Sequence, residues 1–448
     1  MSKKVAFYFD NSRISQVDCR DIESGNPGIG GTEYLFFLIS TLLTKSDNDI
    51  DIAVFNTSKG CVPECLEVQI FNSINDAYVY ADSHGYDYFV FRPQIGETFE
   101  EKLKSSSFHG KTKLIPWCHN FLTYKQLSLY SKSDMIARII CVGREQMDLY
   151  MDLPAYNKSD YIYNCFDIDE DTIAAVRNNS FSERKNIVTY IGSIVPAKGF
   201  HILAKAWPEI EKSIPDAQLY IIGSGQLYDR DAVMGSFNIA ENTYESMFMR
   251  YLTNGGKIKD NVHFMGIMGK EKESILLKTK VGVPNPSGNT ETFGLTALEF
   301  QSNGAKVITK KCAGYMDTVF NGNLYSDEKN IAKLIINALK SKDLDYACFV
   351  KMNNAVFSKV VVIKQWEKLF KDGYVLEPED KSFLQIPNKK FRLKWLKYLI
   401  HKFSYGLFLE GFFPPIDRFV NFYNKYINCR FTKVKFSDFK VKENYFFT

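Results

Sequence analysis

Short apolar runs recur along the first 310 residues, and segments long enough for a helix separate them. Val5-Ala-Phe-Tyr-Phe9, Ile50-Asp-Ile-Ala-Val-Phe55, Tyr88-Phe-Val-Phe91, Lys113-Leu-Ile-Pro-Trp117 and Ile139-Ile-Cys-Val142 each read as a buried strand. Runs of this length, joined by crossover-length segments, are the pattern of a parallel sheet covered on both faces. A second series follows, at Asn186–Ile191, Gln218–Ile222, Val262–Phe264, Val281–Val283 and Lys306–Thr309, with a helix expected from Phe200 to Trp207. The pattern predicts an α/β chain of two Rossmann-like parallel-sheet domains, 1–168 and 169–356, with a cleft between them. Ligands of such sheets sit at the C-terminal strand ends.

Composition narrows the alternatives. A 45% hydrophobic content excludes a disordered chain. The apolar part of the N-terminus, Val5–Phe9, is too short for a signal peptide, and no run approaches the roughly 20 uncharged apolar residues of a spanning helix. Nine cysteines, an odd number without metal-ligand spacing, read as reduced thiols. The net charge of +4 is uneven: Lys381–Thr448 holds 14 Lys+Arg against 4 Asp+Glu, a net +10, so the first 380 residues carry −6. The same 68 residues hold 19 aromatics, about twice the average density of the chain, which makes this tail a separate compositional unit.

The densest motif is Asn285-Pro-Ser-Gly-Asn-Thr-Glu291-Thr-Phe-Gly294-Leu-Thr-Ala-Leu-Glu299. Pro and Gly end a strand, and a helix begins near Phe293-Gly294, where free amides and the helix dipole attract phosphate. Glu291 and Glu299 are eight residues apart, a spacing that brings them to a similar face. Two carboxylates beside a phosphate-binding helix suit a ligand with anionic and polyhydroxyl parts. By spacing alone, two surface glutamates at an ordinary helix entry remain an alternative.

In context, Glu291-x7-Glu299 with Phe293-Gly294-Leu295 inside it and Gly304-x-x-Val307-Ile308 after it resembles the family 4 retaining glycosyltransferases (glycosyltransferase group 1) of GT-B fold. Four other stretches fall in that family's order: Gly30-Gly31-Thr32-Glu33, Trp117-Cys118-His119-Asn120, Tyr163-Asn164-Cys165-Phe166-Asp167 and Gly192-Ser193 through Lys198-Gly199. The resemblance spans about residues 5 to 370. It departs at Ser193, where the family has an Arg for the diphosphate, and at Cys165, where the family has a linker glycine.

The resemblance implies that Glu299 binds the donor ribose and Glu291 the donor sugar. The backbone of Phe293, Gly294 and Leu295 would meet diphosphate and sugar, and Lys198 would neutralise the departing nucleoside diphosphate. Gly30 and Gly31 would approach the diphosphate and Ser193 would line the donor site, while His119 would contact the sugar. Glu33 has two readings, helix cap or ligand contact. The expected catalytic residues are Glu291, Lys198 and His119. No cofactor or metal is expected, and Asp47-Asn-Asp49 and Asp229-Arg-Asp231 are read as solvated carboxylates. The resemblance implies a nucleotide-diphosphate sugar as donor, and the expected acceptor is a glycan or lipid-linked hydroxyl in bacterial surface polysaccharide synthesis. A sugar-nucleotide epimerase and a non-catalytic GT-B scaffold are the competing functions.

Residues 357–375 resemble the family's last helix, which crosses back to the N-terminal domain, and 376–448 form the basic aromatic extension. Lys390, Lys394, Lys397 and His401 recur on one helical face, with Phe391, Trp395, Tyr398, Leu399 and Phe403 on another. Such a helix suits an anionic membrane surface, here through 388–442, or packing on the body or in an oligomer. The expected location is cytoplasmic, peripheral on the inner face of the cytoplasmic membrane. No nucleic-acid partner is expected.

Overall fold

A computed structural model describes residues 2–46, 49–94, 103, 110–226, 233–376, 397, 399 and 403. The Asp-x-Asp stretches at 47–49 and 229–231 lie wholly or partly outside these residues, as does almost all of the extension. The chain packs as two units. The first comprises residues up to Gln16, Phe36–Ile162 and the chain from Ile363; the second comprises Val17–Leu35 and Tyr163–Val362. The loop bearing Gly30-Gly31 therefore groups with the second unit.

The first unit is built on strands β1 (Lys3–Phe9), β2 (Ile50–Asn56), β3 (Glu67–Ile70), β4 (Tyr88–Phe91), β5 (Lys113–Cys118), β6 (Ile139–Cys141) and β7 (Ser159–Tyr161). They form one parallel sheet in the order β3-β2-β1-β4-β5-β6-β7. Five successive residues of β1, Val5 to Phe9, are buried, because helices cover both faces of a parallel sheet. The helix Lys359–Asp372 supplies part of that cover. Trp366 and Phe370 are fully buried, with ring centroids 5.8 and 6.1 Å from Phe7, and Trp366 lies 4.9 Å from Trp117. The chain then stays tied to this unit: Arg138 Nε donates to the Gly373 carbonyl and the Val375 amide donates to Asp160.

Tyr346–Asp372 is apolar and long enough in composition to cross a membrane. It is two helices, Tyr346–Val356 and Lys359–Asp372, with Phe357 and Trp366 buried in protein.

Lys397 departs from the expected basic face. It is 1% exposed, its Nζ lies 3.2 Å from an equally buried Asp152 carboxylate, and it donates to the Leu149 carbonyl at 2.6 Å. A buried ammonium persists only when paired, and Asp152 supplies the pair. Phe403, assigned to the apolar face, is 68% exposed. At these positions the expected amphipathic faces are reversed.

The second unit holds β8 (Ile187–Ile191) and β9 (Gln218–Ile222), then a hairpin of β10 (Thr253–Asn254) and β11 (Lys257–Ile258). It continues with β12 (Val262–Gly266), β13 (Val281–Gly282), β14 (Lys306–Lys310) and β15 (Gly322–Tyr325). Its main sheet is parallel in the order β12-β9-β8-β13-β14-β15. The helix after β8 runs from Phe200 to Ser213, six residues past the expected end, with Pro208 inside it. Burial of Trp207 and Ile210 on either side of Pro208 outweighs the hydrogen bond that the proline removes. Strand order reverses between β8 and β13, so the loops leaving their C-terminal ends flank the switch point where ligands of such sheets bind. Those loops are 192–199 and 283–294.

Candidate donor site in the second unit

Both loops are held in shapes that few sequences tolerate. After β8, Pro196–Lys198 forms one tight turn and Gly199 caps the next helix at φ 70°. A Cβ on Gly199 would lie 2.7 Å from both N and Cβ of Ser287, so only glycine allows the two loops to meet here. Ser287 Oγ donates to the Ala197 carbonyl at 2.6 Å and locks the contact. In the second loop Asn285 (φ 33°) and Thr290 (φ 58°) adopt left-handed backbone without being glycine. Such strain persists where surrounding contacts over-determine it, and Asn285 has them. Its Nδ2 donates to the Asn289 carbonyl and to Glu291 Oε2, both at 3.0 Å, and its Oδ1 accepts from Ser287.

Glu291 is thereby fixed. Its Oε2 receives Lys198 Nζ at 3.2 Å, Asn285 Nδ2 at 3.0 Å and, more weakly, the Tyr315 hydroxyl at 3.4 Å. Among the described residues Oε1 takes no hydrogen bond. Burial, reinforced by Glu291, raises the Tyr315 phenol far above its ordinary range, so it acts as a neutral donor. Behind Glu291 the chain turns at Gly294 (φ 88°), where a Cβ would strike the Tyr315 ring at 2.6 Å. Gly314 lies against Phe293 in the same way, and Thr318 Oγ1 donates to the Phe293 carbonyl.

The helix Leu295–Ser302 then starts with Gly294 as its N-cap and no side-chain cap. Among the described residues, no acceptor takes the amides of Gly294, Leu295 or Thr296. Open first-turn amides with the positive end of the dipole form an anion site. Glu299, one turn further on, is paired at Oε1 with Lys272 Nζ at 2.9 Å. Each carboxylate of the motif thus has its own lysine, one from the loop after β8 and one from the turn Lys270–Lys272. All four side chains are between 18% and 26% exposed, accessible to a ligand yet partly desolvated.

Ser193 lies at the end of β8, 2% exposed; its carbonyl accepts from the Tyr190 hydroxyl, and its Oγ has no partner among the described residues. Gly30 and Gly31 open the helix Gly31–Lys45. Asn26 Oδ1 accepts from the amides of Gly28 and Ile29, which shapes the loop before them. A Cβ on Gly30 would overlap Glu33 Oε2 at 2.2 Å, so the Glu33 carboxylate folds back over the start of its own helix. An acidic group there is favoured by the dipole, which fits the capping reading of Glu33.

His119 belongs to the first unit. It is 8% exposed, with its ring 4.4 Å from Trp117 and 5.8 Å from Phe36. Burial, with the Arg92 guanidinium, holds its imidazole down at about 3. At neutral pH it is therefore uncharged, suited to hydrogen bonding and not to acting as a cation. Asn285, Tyr315 and Lys272 were not singled out as site residues by the sequence. Asn285 sat inside the quoted motif, whereas nothing in the sequence pointed to the other two.

Two Rossmann-like parallel-sheet units are the architecture of the GT-B fold. Residues 172–349 match the family model described as glycosyl transferases group 1. Among curated proteins, it is 28% identical over 156 residues to a GDP-mannose-dependent monoacylated alpha-(1-6)-phosphatidylinositol monomannoside mannosyltransferase of Corynebacterium glutamicum. That match covers 34% of this chain and 36% of the relative. The GPI3 subunit of the Saccharomyces cerevisiae phosphatidylinositol N-acetylglucosaminyltransferase is 19% identical over 321 residues, covering 66% and 65%. The chain therefore matches about a third and just under two thirds of these relatives' lengths. Among solved structures, Anabaena Alr3699/HepE in complex with UDP and glucose superposes with a TM-score of 0.57 at 18% identity, covering 83% of this chain and all of the other. The same protein in complex with UDP-glucose gives 0.57 at 17%, covering 82% and 99%.

Proposed function

We propose that the chain is a retaining, metal-independent glycosyltransferase. It would take a sugar from a nucleoside diphosphate donor and place it on a hydroxyl of a glycan or lipid-linked acceptor, in bacterial surface polysaccharide synthesis. The observation that carries this reading is the pairing of Lys198 with Glu291 beside the open amides of Gly294–Thr296. A sugar diphosphate needs positive charge at the phosphates and acceptors at the sugar hydroxyls, and these groups offer both within one loop pair. UDP and UDP-glucose occur in the solved structures that share the fold. Both curated relatives carry phosphatidylinositol in their names, which favours a lipid-linked acceptor.

In this mechanism the amides and Lys198 take up the negative charge that grows as the bond between anomeric carbon and β-phosphate oxygen breaks. Stabilisation at the point where charge develops is the largest contribution such a site offers. Glu291 Oε1 accepts a hydroxyl of the donor sugar and Glu299 accepts from the ribose. The acceptor oxygen bonds to the anomeric carbon on the face that the phosphate leaves, and its proton passes to the departing phosphate. The work is cytoplasmic and peripheral to the membrane.

The test offers UDP- and GDP-sugars with lipid-linked and free glycan acceptors, then measures nucleoside diphosphate release and the anomeric configuration of the product by NMR. Release with retained configuration is expected. An inverted product, or release of a 2-epimerised sugar without acceptor, would contradict it.

A further inference from the structure

Lys272 lies 23 residues before the helix entry at Leu295, in a segment that no motif marks, yet it is bonded to one of the two motif carboxylates. Its Nζ meets Glu299 Oε1 at 2.9 Å, and among the described residues this is the only hydrogen bond made by either charged group. Among the described residues Oε2 of Glu299 takes no hydrogen bond, and the pair is partly exposed, at 22% and 26%. Glu299 stands four residues beyond Leu295, so about 6 Å along the axis from the open amides.

We propose that Lys272 is a positioning residue for recognition of the donor's ribose, acting through Glu299; this rests on reading the loop pair as the nucleotide-sugar site. Two physical effects combine. The ammonium neutralises Glu299, which would otherwise set a bare negative charge within one turn of a bound diphosphate. It also fixes the carboxylate through Oε1, so the rotamer freedom that a glutamate loses on accepting a hydroxyl is lost before the ligand arrives. Lys272 thereby sets how strongly the site distinguishes a ribose from a sugar lacking its hydroxyls.

The readout is the ratio of dissociation constants for a 2′,3′-dideoxynucleoside diphosphate and its ribo counterpart, measured by calorimetry with the UDP and GDP pairs. A hydrogen bond to a charged acceptor gives a wild-type ratio on the order of tenfold or more. Lys272→Met, close in length but uncharged, is expected to lower that ratio at least threefold. Lys272→Arg, which keeps charge and donors, should restore most of it, and Glu299→Gln should lower it as far as Lys272→Met. A residue serving only local packing would leave the ratio alone whatever it did to stability. If Glu299→Gln collapses the ratio and Lys272→Met leaves it at the wild-type value, the role of Lys272 is overturned and the site reading stands. If Glu299→Gln also leaves it unchanged, or the wild type binds neither nucleotide, the site reading itself fails and this inference with it.

Discussion

His119 makes a pH prediction whose sign and size follow from its surroundings. The imidazole is packed among Trp117 and Phe36 with the Arg92 guanidinium nearby, and its folded value is about 3 against an ordinary 6.5. The depressed value means that protons bind the unfolded chain more readily than the folded one. The contribution of His119 to stability is therefore complete above pH 6.5, and it is lost as pH falls from 6.5 toward 3. Between pH 7 and pH 5 the loss comes to about 2 kcal/mol. His201 is also lowered, mainly by burial, and acts in the same direction. The contribution of His119 must therefore be isolated by difference. Urea unfolding of wild type and His119→Gln, followed by tryptophan fluorescence, serves for this. The wild type should lose about 2 kcal/mol more than the variant between pH 7 and 5 in the transition of the first unit. Parallel pH dependence in the two proteins would refute the claim that the imidazole is buried uncharged. The pH–rate profile should correspondingly show no titration of His119 between pH 5 and 8.

Lys198→Met should lower kcat by about 10²–10³, the scale for losing one charge-stabilising group, while stability changes by less than about 1 kcal/mol because the pair is partly exposed. Steady-state kinetics and denaturant melts read the two separately. Gly199→Ala puts a Cβ 2.7 Å from Ser287 in left-handed backbone. It should cost about 2 kcal/mol and raise the donor KM by separating the loops. Trp366→Ala, at a fully buried site against Phe7 and Trp117, should destabilise by about 3–5 kcal/mol in thermal or urea unfolding, with donor affinity in the second unit unchanged.

The sheets were legible wherever burial on both faces writes a continuous apolar run, as in β1 and β9. They were illegible where tertiary contacts carry the strand. β3, Glu67–Ile70, has no buried residue at this edge of the sheet, and β7 is Ser-Asp-Tyr, kept in place through Asp160 and its bonds to Arg138 and Val375. The motif carboxylates, Lys198 and the glycines were legible because backbone turns and phosphate chemistry restrict residue type at fixed spacing. Lys272 and Tyr315 were not, since each reaches its glutamate across 24 to 27 residues of intervening sheet and helix. Lys397 was misread for a related reason: helical periodicity records a polar position but not the buried Asp152 that meets it.

The central claim is that the loops at 192–199 and 283–294, with Glu299, bind a nucleoside diphosphate sugar. Thermal unfolding of wild type, Lys198→Met and Glu299→Gln across a panel of UDP- and GDP-sugars tests it most directly, since a ligand that binds only the folded chain stabilises it. At a hundredfold excess over Kd that stabilisation is about 2.7 kcal/mol. At least one donor should raise the wild-type transition by this amount, and both substitutions should diminish the shift at the same ligand concentration. A panel without any shift, or one in which all three proteins shift equally, would contradict the account.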